Sequence, residues 1–108
     1  MISVRLPVEK RGFLEKYSPS MFAGWQRRYV IIKNRKLKYY TSDKEKDLKI
    51  PLGILNFDHL NCKVSKIDQN SNCFNVQIIG IENRIFQFRA ATPEICSIWV
   101  DEIHHHIM

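Results

Sequence analysis

The sequence predicts a mainly β fold, a seven-stranded antiparallel β-sandwich or partly open barrel capped by one C-terminal α-helix. Seven short runs rich in β-branched and aromatic residues are separated by turn-forming residues. After the last run the apolar residues recur at a helical spacing instead of alternating. A chain of 108 residues suits a single domain with one modest core.

The strands are short and follow one another closely along the chain. We expect them at residues 11–17, 25–32, 37–41, 51–55, 60–67, 73–79 and 84–89. Asn34 favours a tight turn after the second strand, and the charged segment 42–49 is expected to be a solvated loop. Pro7 argues against a central strand near the start. We therefore divide the chain into a lead-in segment, residues 1–9, and a domain, residues 10–108.

The last element carries the signals of an amphipathic helix. Thr92 is the expected N-cap, and Pro93 suits the first helical position. The apolar stripe expected on the core side consists of Ile95, Cys96, Ile98, Trp99 and Ile103. Trp99 is therefore expected in the core. The histidines at 104–106 should form a solvated helix end, because consecutive helical side chains point about 100° apart and cannot converge on a metal ion.

Enzymatic chemistry is not indicated. The sequence has no G-x-S-x-G, P-loop or H-E-x-x-H motif, so we predict no catalytic residue, no metal site and no cofactor. Cys62, Cys73 and Cys96 form no C-x-x-C pair and lie in apolar surroundings, which favours reduced core thiols. No apolar run reaches the roughly 18 residues of a membrane-spanning helix, and the first ten residues lack the apolar core of a signal peptide.

Positive charge is concentrated in the first half of the chain. Residues 1–49 hold 13 Lys or Arg against 5 Asp or Glu, a balance of +8. Residues 50–108 hold 4 against 6, a balance of −2. Such polarity suits an anionic partner, which could be a lipid headgroup, a nucleic acid or an acidic protein surface.

The loop between the first two strands has an apolar tip, Met21-Phe22-Ala23, between Ser18-Pro19-Ser20 and Gly24. Loops are normally polar, so an apolar tip requires a covering partner. That partner is either another loop of the same chain or something outside it, such as a membrane. Trp25 is expected to support the loop from beneath.

Taken together, the motifs resemble the pleckstrin homology domain. They are G-F-L-E-K at 12–16, G-W-Q-R-R-Y-V-I-I-K-N at 24–34, L-K-Y-Y at 37–40 and a tryptophan in a final helix. The resemblance covers about residues 10–107. It implies a seven-stranded sandwich with a helical cap and, in a fraction of members, a headgroup pocket at the open end between the first two strands.

The resemblance also implies a site. Lys16, Arg28 and Tyr39 match the lysine, arginine and tyrosine of lipid-binding members, whereas Gln26 stands where many binders of bis- and trisphosphates have a cation. With glutamine at this position, the chain is similar to the PH domains of oxysterol-binding, ceramide-transfer and four-phosphate adaptor proteins. Those domains bind phosphatidylinositol 4-phosphate and insert an apolar wedge into the bilayer. The implied headgroup-binding residues are Lys16, Gln26, Arg28, Lys38 and Tyr39. The implied membrane-inserting residues are Tyr17, Met21, Phe22 and Ala23.

These expectations describe a cytoplasmic module held peripherally on the cytosolic face of a membrane. Its lipid would be a phosphoinositide monophosphate or phosphatidic acid, because a shallow basic site and a wedge serve both. The alternative is a protein-interaction module on the same fold, with Phe22 docking a partner. Nucleic acid is not expected, because no recognition motif accompanies the aromatic and basic residues. The isolated domain is expected to be monomeric.

Overall fold

The computed structural model describes residues 6–20, 24–80 and 83–108. Seven strands form one antiparallel sheet in the order β4-β3-β2-β1-β7-β6-β5, which leaves β4 and β5 as edges, so the sheet is not closed. The strands are β1 Lys10–Ser18, β2 Gly24–Lys33, β3 Lys36–Tyr40, β4 Gly53–Asn56, β5 Cys62–Lys66, β6 Cys73–Ile78 and β7 Arg84–Arg89. One α-helix, α1 Pro93–Ile107, follows. The predicted fold class is confirmed.

The first three strands form an antiparallel meander. Lys10 of β1 pairs with Ile32 of β2, and the register continues to Ser18 opposite Gly24. Asn34 and Arg35 connect β2 to β3 with φ angles of 52° and 62°, the left-handed pair that a two-residue hairpin turn requires. The tight turn expected at Asn34 is therefore confirmed.

Strands β4 and β5 each begin two residues later than the sequence suggests. β4 begins at Gly53 rather than 51, because the backbone from 41 to 52 forms a charged connection that includes a single 3-10 turn, Asp47–Lys49. β5 begins at Cys62 rather than 60, because the N–H groups of His59 and Leu60 bond back to the Asn56 carbonyl in a turn.

The core lies between the faces of the curved sheet and the helix. Phe74 and Phe88 stack with their ring centroids 5.4 Å apart and are fully buried. Trp99 is 2% exposed, which confirms its assignment to the core. Its ring lies against β1 at Gly12, where an added Cβ would stand 3.2 Å from the indole. Gly12 therefore permits the close packing of helix on strand.

The helix begins as expected but presents a different face. The Thr92 hydroxyl accepts a hydrogen bond from the Ile95 N–H at 3.1 Å, which confirms the N-cap. Ile98, however, is 56% exposed, because it lies about 100° from Trp99 around the helix. Ile95 remains 40% exposed, since the sheet covers the first turn on the side of Cys96. The prediction that Ile95 and Ile98 face the core was wrong.

The C-terminal histidines are not all solvated, contrary to expectation. His106 is 1% exposed and bonds on both sides. Its Nδ1 accepts from the Arg35 N–H at 3.1 Å, and its Nε2 lies 2.7 Å from the Val8 carbonyl oxygen. A carbonyl only accepts, so the ring is the neutral tautomer with the proton on Nε2. His106 thereby holds the end of the lead-in against the β2–β3 turn.

Arg35 completes the same junction. Its guanidinium donates to the carbonyls of Met108 at 2.6 Å and Ile107 at 3.5 Å, and it pairs with Asp58 at 2.7 Å. A cation at this position satisfies helix carbonyls that have no partner within the helix. The β2–β3 turn and the end of α1 therefore stabilise each other.

The cysteines are free thiols. Cys62 and Cys96 are buried, and burial raises the pKa of both thiols. Cys73 is half-buried. Two of the three therefore fit the expectation of core thiols, and Cys73 lies at the margin of the core.

Candidate functional site

Apolar rows on the core-facing side of the sheet end in polar side chains beside the β1–β2 loop. Leu14 of β1 and Val30 of β2 are buried, and side chains two positions apart on a strand share a face. The residues that continue such rows are Lys16 in β1, Arg28 in β2, Tyr39 in β3 and Arg84 in β7. We call these four residues the open-end cluster.

Lys16 is the central cation of the open-end cluster. Its Nζ lies 5.0 Å from the centroid of the Tyr39 ring and 5.6 Å from that of Phe86, within the range of cation–π attraction. Partial burial lowers the pKa of the Lys16 ammonium, and the positive charges of Arg84 and Arg28 lower it further. A bound anion would therefore stabilise the charged form of Lys16.

Arg28 is oriented by its neighbours on β2. One guanidinium nitrogen donates to the Gln26 side-chain oxygen at 2.8 Å, and another donates to the Arg27 carbonyl at 2.9 Å. Gln26 thus contributes by fixing the direction of Arg28 rather than by adding a charge. A fixed guanidinium suits a phosphate, because its planar donors can bind two oxygens at once.

Tyr39 is positioned by a glycine on the adjacent strand. Tyr39 pairs with Gly53 of β4, and a Cβ added at Gly53 would stand 2.3 Å from the Tyr39 hydroxyl and ring. No side chain fits in that space without moving the ring. Gly53 therefore allows Tyr39 to lie across β4 while it contacts Lys16.

A family model decides the classification: the model described as PH domain matches residues 8–108. This chain belongs to the PH domain family. Mouse Src kinase-associated phosphoprotein 2 is 34% identical over 100 residues, covering 89% of this chain and 27% of that protein. Src kinase-associated phosphoprotein 1 of Takifugu rubripes has the same identity and coverage. The chain therefore spans little more than a quarter of the curated relatives it matches.

Solved PH domains share the fold. That of human oxysterol binding protein-related protein 11 has a TM-score of 0.75 at 22% identity, covering 93% of this chain and 80% of that one. The Slm1 PH domain in complex with inositol 4-phosphate has a TM-score of 0.74 at 21% identity, covering 96% of this chain and 100% of that one. The C-terminal PH domain of pleckstrin, in complex with an inositol pentakisphosphate, has a TM-score of 0.70 at 25% identity, covering 92% and 97%.

The structure adds to the open-end cluster one residue, Arg84, that the sequence did not single out. Arg84 joins Lys16 and Arg28, and its guanidinium lies 4.3 Å from the centroid of Phe86. Alternation of Arg84 with Phe86 in β7 was visible in the sequence. The pairing of β7 beside β1, which brings Arg84 to the site, was not.

Lys38 does not join the cluster, although we had grouped it with Tyr39. Adjacent residues of a strand point to opposite faces, so Lys38 faces the outer side of the sheet. There it lines a separate pocket with Arg11 and Lys36. The structure therefore places Lys38 apart from the other four residues that the resemblance implied.

The residues expected to enter a membrane are only partly described. Met21, Phe22 and Ala23 lie outside the described residues. Tyr17 is 41% exposed, and its ring packs edge-on against Trp25 at 5.3 Å. Trp25 also contacts the Arg89 guanidinium at 4.3 Å, which agrees with the supporting role expected for it.

In residues 6–20, 24–80 and 83–108, no helix has the length and apolarity needed to cross a bilayer. Within the same described ranges, no group of three or more His, Cys, Asp or Glu side chains could hold a metal ion.

Proposed function

We propose that this PH domain binds the phosphate monoester of an anionic membrane lipid at the open-end cluster. The observation that carries the proposal is the convergence of Lys16, Arg28 and Arg84 around aromatic rings. None of the three pairs with a carboxylate of the described residues. Clustered cations without counter-charge repel each other, and a bound phosphate relieves that repulsion.

The number and type of groups favour a monophosphate. Gln26 is uncharged, and its side-chain oxygen accepts a hydrogen bond from Arg28. It therefore supplies no cation for a second or third phosphate. Phosphatidylinositol 4-phosphate and phosphatidic acid both present a phosphomonoester near the bilayer surface. The Slm1 PH domain, which shares this fold, has been solved with inositol 4-phosphate, so the inositide is the first lipid to test.

Attachment to a membrane needs a second contribution beside the headgroup. The β1–β2 loop leaves β1 two residues after Lys16, and we assign Met21, Phe22 and Ala23 in it to insertion, with Tyr17 at the border. Burying one Phe or Met side chain contributes about 1.5 to 3 kcal/mol. Each cation near an anionic surface contributes about 1 kcal/mol. Together these contributions support peripheral binding on the cytosolic face of a membrane.

The test is co-sedimentation with vesicles at fixed ionic strength. Vesicles contain phosphatidylserine alone or with phosphatidylinositol 4-phosphate, each other phosphoinositide, or phosphatidic acid. Wild-type protein should bind one phosphomonoester lipid above the phosphatidylserine baseline. Arg28→Ala should remove the excess, because it removes a phosphate ligand, and Phe22→Asp should weaken all vesicle binding.

Arg27→Ala is the matched control. It removes the same charge from the neighbouring residue, whose guanidinium packs on Phe13 on the outer face, and it keeps the carbonyl that Arg28 uses. Binding of Arg27→Ala should therefore stay close to that of wild type. Equal losses in the two arginine variants would reject headgroup recognition in favour of general charge attraction.

A protein-interaction module is the second candidate. It is favoured by the relatives at 34% identity, which are named Src kinase-associated phosphoproteins. Absence of binding to every vesicle, with a folded wild-type protein, would move this candidate to first place.

A further inference from the structure

A second basic surface lies on the outer face of the sheet. A concave pocket of about 290 Å³ runs along β1, β2 and β3. Its cations are Arg11, Lys33, Lys36 and Lys38, and its other lining residues are Ile31, Asn34 and Tyr40. We call the four cations and the surface between them the cationic furrow. No acidic residue lines it.

The charges of the cationic furrow are only partly compensated. Glu9 lies 3.0 Å from Arg11 and 3.8 Å from Lys33. Lys36 and Lys38 pair with no carboxylate in residues 6–20, 24–80 and 83–108. The Glu9 carboxylate thus reaches the β1 and β2 cations of the furrow and does not contact Lys36 or Lys38.

The spacing of the furrow suits an extended chain. Lys36 and Lys38 occupy alternate positions of β3, which places their Cα atoms about 7 Å apart. Alternate side chains of an extended peptide have the same spacing. Tyr40 is buried and forms an apolar floor beside them, and half-exposed Ile54, which pairs with Lys38, extends the apolar border toward the edge strand β4.

The furrow and the open-end cluster cannot both face one flat bilayer. Arg11 lies five residues from Lys16 on β1, a distance of about 17 Å along the strand. The two side chains also point to opposite faces. A membrane bound at the loop end of the sheet therefore leaves Arg11, Lys33 and Lys36 in solvent, where a protein segment rather than a lipid is the anion within reach.

We propose that the cationic furrow docks an extended acidic segment of a partner protein, with alternate Glu or Asp side chains on Lys36 and Lys38. The furrow uses other residues on another face than the lipid site, and its assignment to a protein segment rather than a lipid rests on the proposed membrane binding at the open-end cluster. It assigns the PH domain two binding surfaces that can be occupied together, one for a membrane and one for a protein.

The test uses fluorescein-labelled octapeptides in anisotropy titrations at fixed ionic strength. One peptide alternates Glu and Ser, and its control alternates Gln and Ser. The Glu peptide should bind wild-type protein at least about tenfold more tightly than the Gln peptide, because several ion pairs act together. Equal binding of the two peptides would overturn the proposal.

Charge reversals locate the binding. Lys36→Glu with Lys38→Glu should weaken binding of the Glu peptide about tenfold or more. Lys44→Glu with Lys46→Glu, the same charge change in the exposed β3–β4 connection, should weaken it less than about threefold. Arg28→Ala should leave it unchanged. Equal weakening by both reversals would reject the furrow as the site.

Two further readouts keep the test decisive if the reversal disturbs folding. In the wild-type ¹H–¹⁵N spectrum, the Glu peptide should shift amides of residues 31–40 and leave those around Lys16 unchanged. The opposite pattern would overturn the proposal. Vesicle binding should survive the furrow reversal, and its loss without any peptide binding would assign the furrow to the membrane instead.

Discussion

The two basic surfaces of this PH domain differ in how their cations are held. In the open-end cluster, Lys16 is partly buried between aromatic rings, and burial together with Arg84 and Arg28 lowers its pKa. In the cationic furrow, Lys36 and Lys38 line an open pocket above an apolar floor. The same three strands carry both surfaces, since alternation sends neighbouring side chains to opposite faces.

This difference indicates which of the two surfaces should select a defined ligand. A partly buried cation beside other cations destabilises the unbound protein. A ligand that neutralises this cation removes the repulsion, and the removal contributes to the binding free energy. Arg11 and Lys33 of the furrow are exposed, and exposed cations carry little such cost, so their contacts are individually weak and are screened by salt. We therefore expect selectivity at the open-end cluster and broad, salt-sensitive binding of acidic segments at the furrow.

Replacing Lys16 gives the largest expected contrast. Lys16→Met should weaken binding of inositol 4-phosphate by about tenfold or more, because a charge-assisted contact is lost. The same variant should unfold at a higher temperature in the absence of ligand, since Met keeps the packing on the aromatic rings and removes the repelled charge. Calorimetry measures both quantities.

Lys36→Met is the control in the other region. It should change neither the inositol phosphate affinity nor the melting temperature appreciably, because Lys36 is on the outer face. A lower melting temperature for Lys16→Met than for wild type would contradict the stated cost of the Lys16 charge.

Substitution of Gly53 should have a smaller effect on ligand binding at the open-end cluster. Gly53→Ala should displace the Tyr39 ring, because the new Cβ would stand 2.3 Å from it, and should weaken inositol 4-phosphate binding about three- to tenfold. In a Tyr39→Ala background the same substitution should have no further effect. Additive losses in this double-mutant cycle would show that Gly53 acts by another route.

The smallest expected effect is a pKa change that leaves the fold intact. Since the pKa of Lys16 is lowered in the free protein, the cost of its charge is present at neutral pH and disappears as pH rises through that pKa. A bound phosphate favours the protonated form, so the Lys16 pKa should rise on binding. An NMR titration of the Lys16 ε-methylene with and without inositol 4-phosphate measures the change, and an unchanged pKa would place the phosphate elsewhere.

Local features were predictable from the sequence, and features that join distant segments were not. The turn at Asn34 and the cap at Thr92 depend on residues within a few positions of each other, and both are confirmed. Arg84 reaches the cluster only because β7 pairs with β1, a contact between residues more than 70 positions apart, as in the Arg89–Glu15 ion pair. No local pattern reports such a pairing.

The differences between prediction and structure at His106 and Lys38 have the same origin. His106 looked like part of a solvated helix end, but it bonds to Val8 and Arg35, far from it in the sequence. Lys38 was included in the site by resemblance, whereas strand alternation places it in the furrow. Lys16 and Arg28 were singled out by resemblance, and their convergence depends on the β1–β2 register.

The most direct test of the account is a ¹H–¹⁵N titration of the wild-type protein with inositol 4-phosphate and, separately, with glycerol 3-phosphate. Saturable shifts at Lys16, Arg28 and Arg84, with residues 33–38 unchanged, are the predicted result, and the tighter ligand identifies the lipid class. Shifts confined to the cationic furrow, or no saturable shift with either phosphomonoester, would contradict the claim that the open-end cluster binds a lipid headgroup.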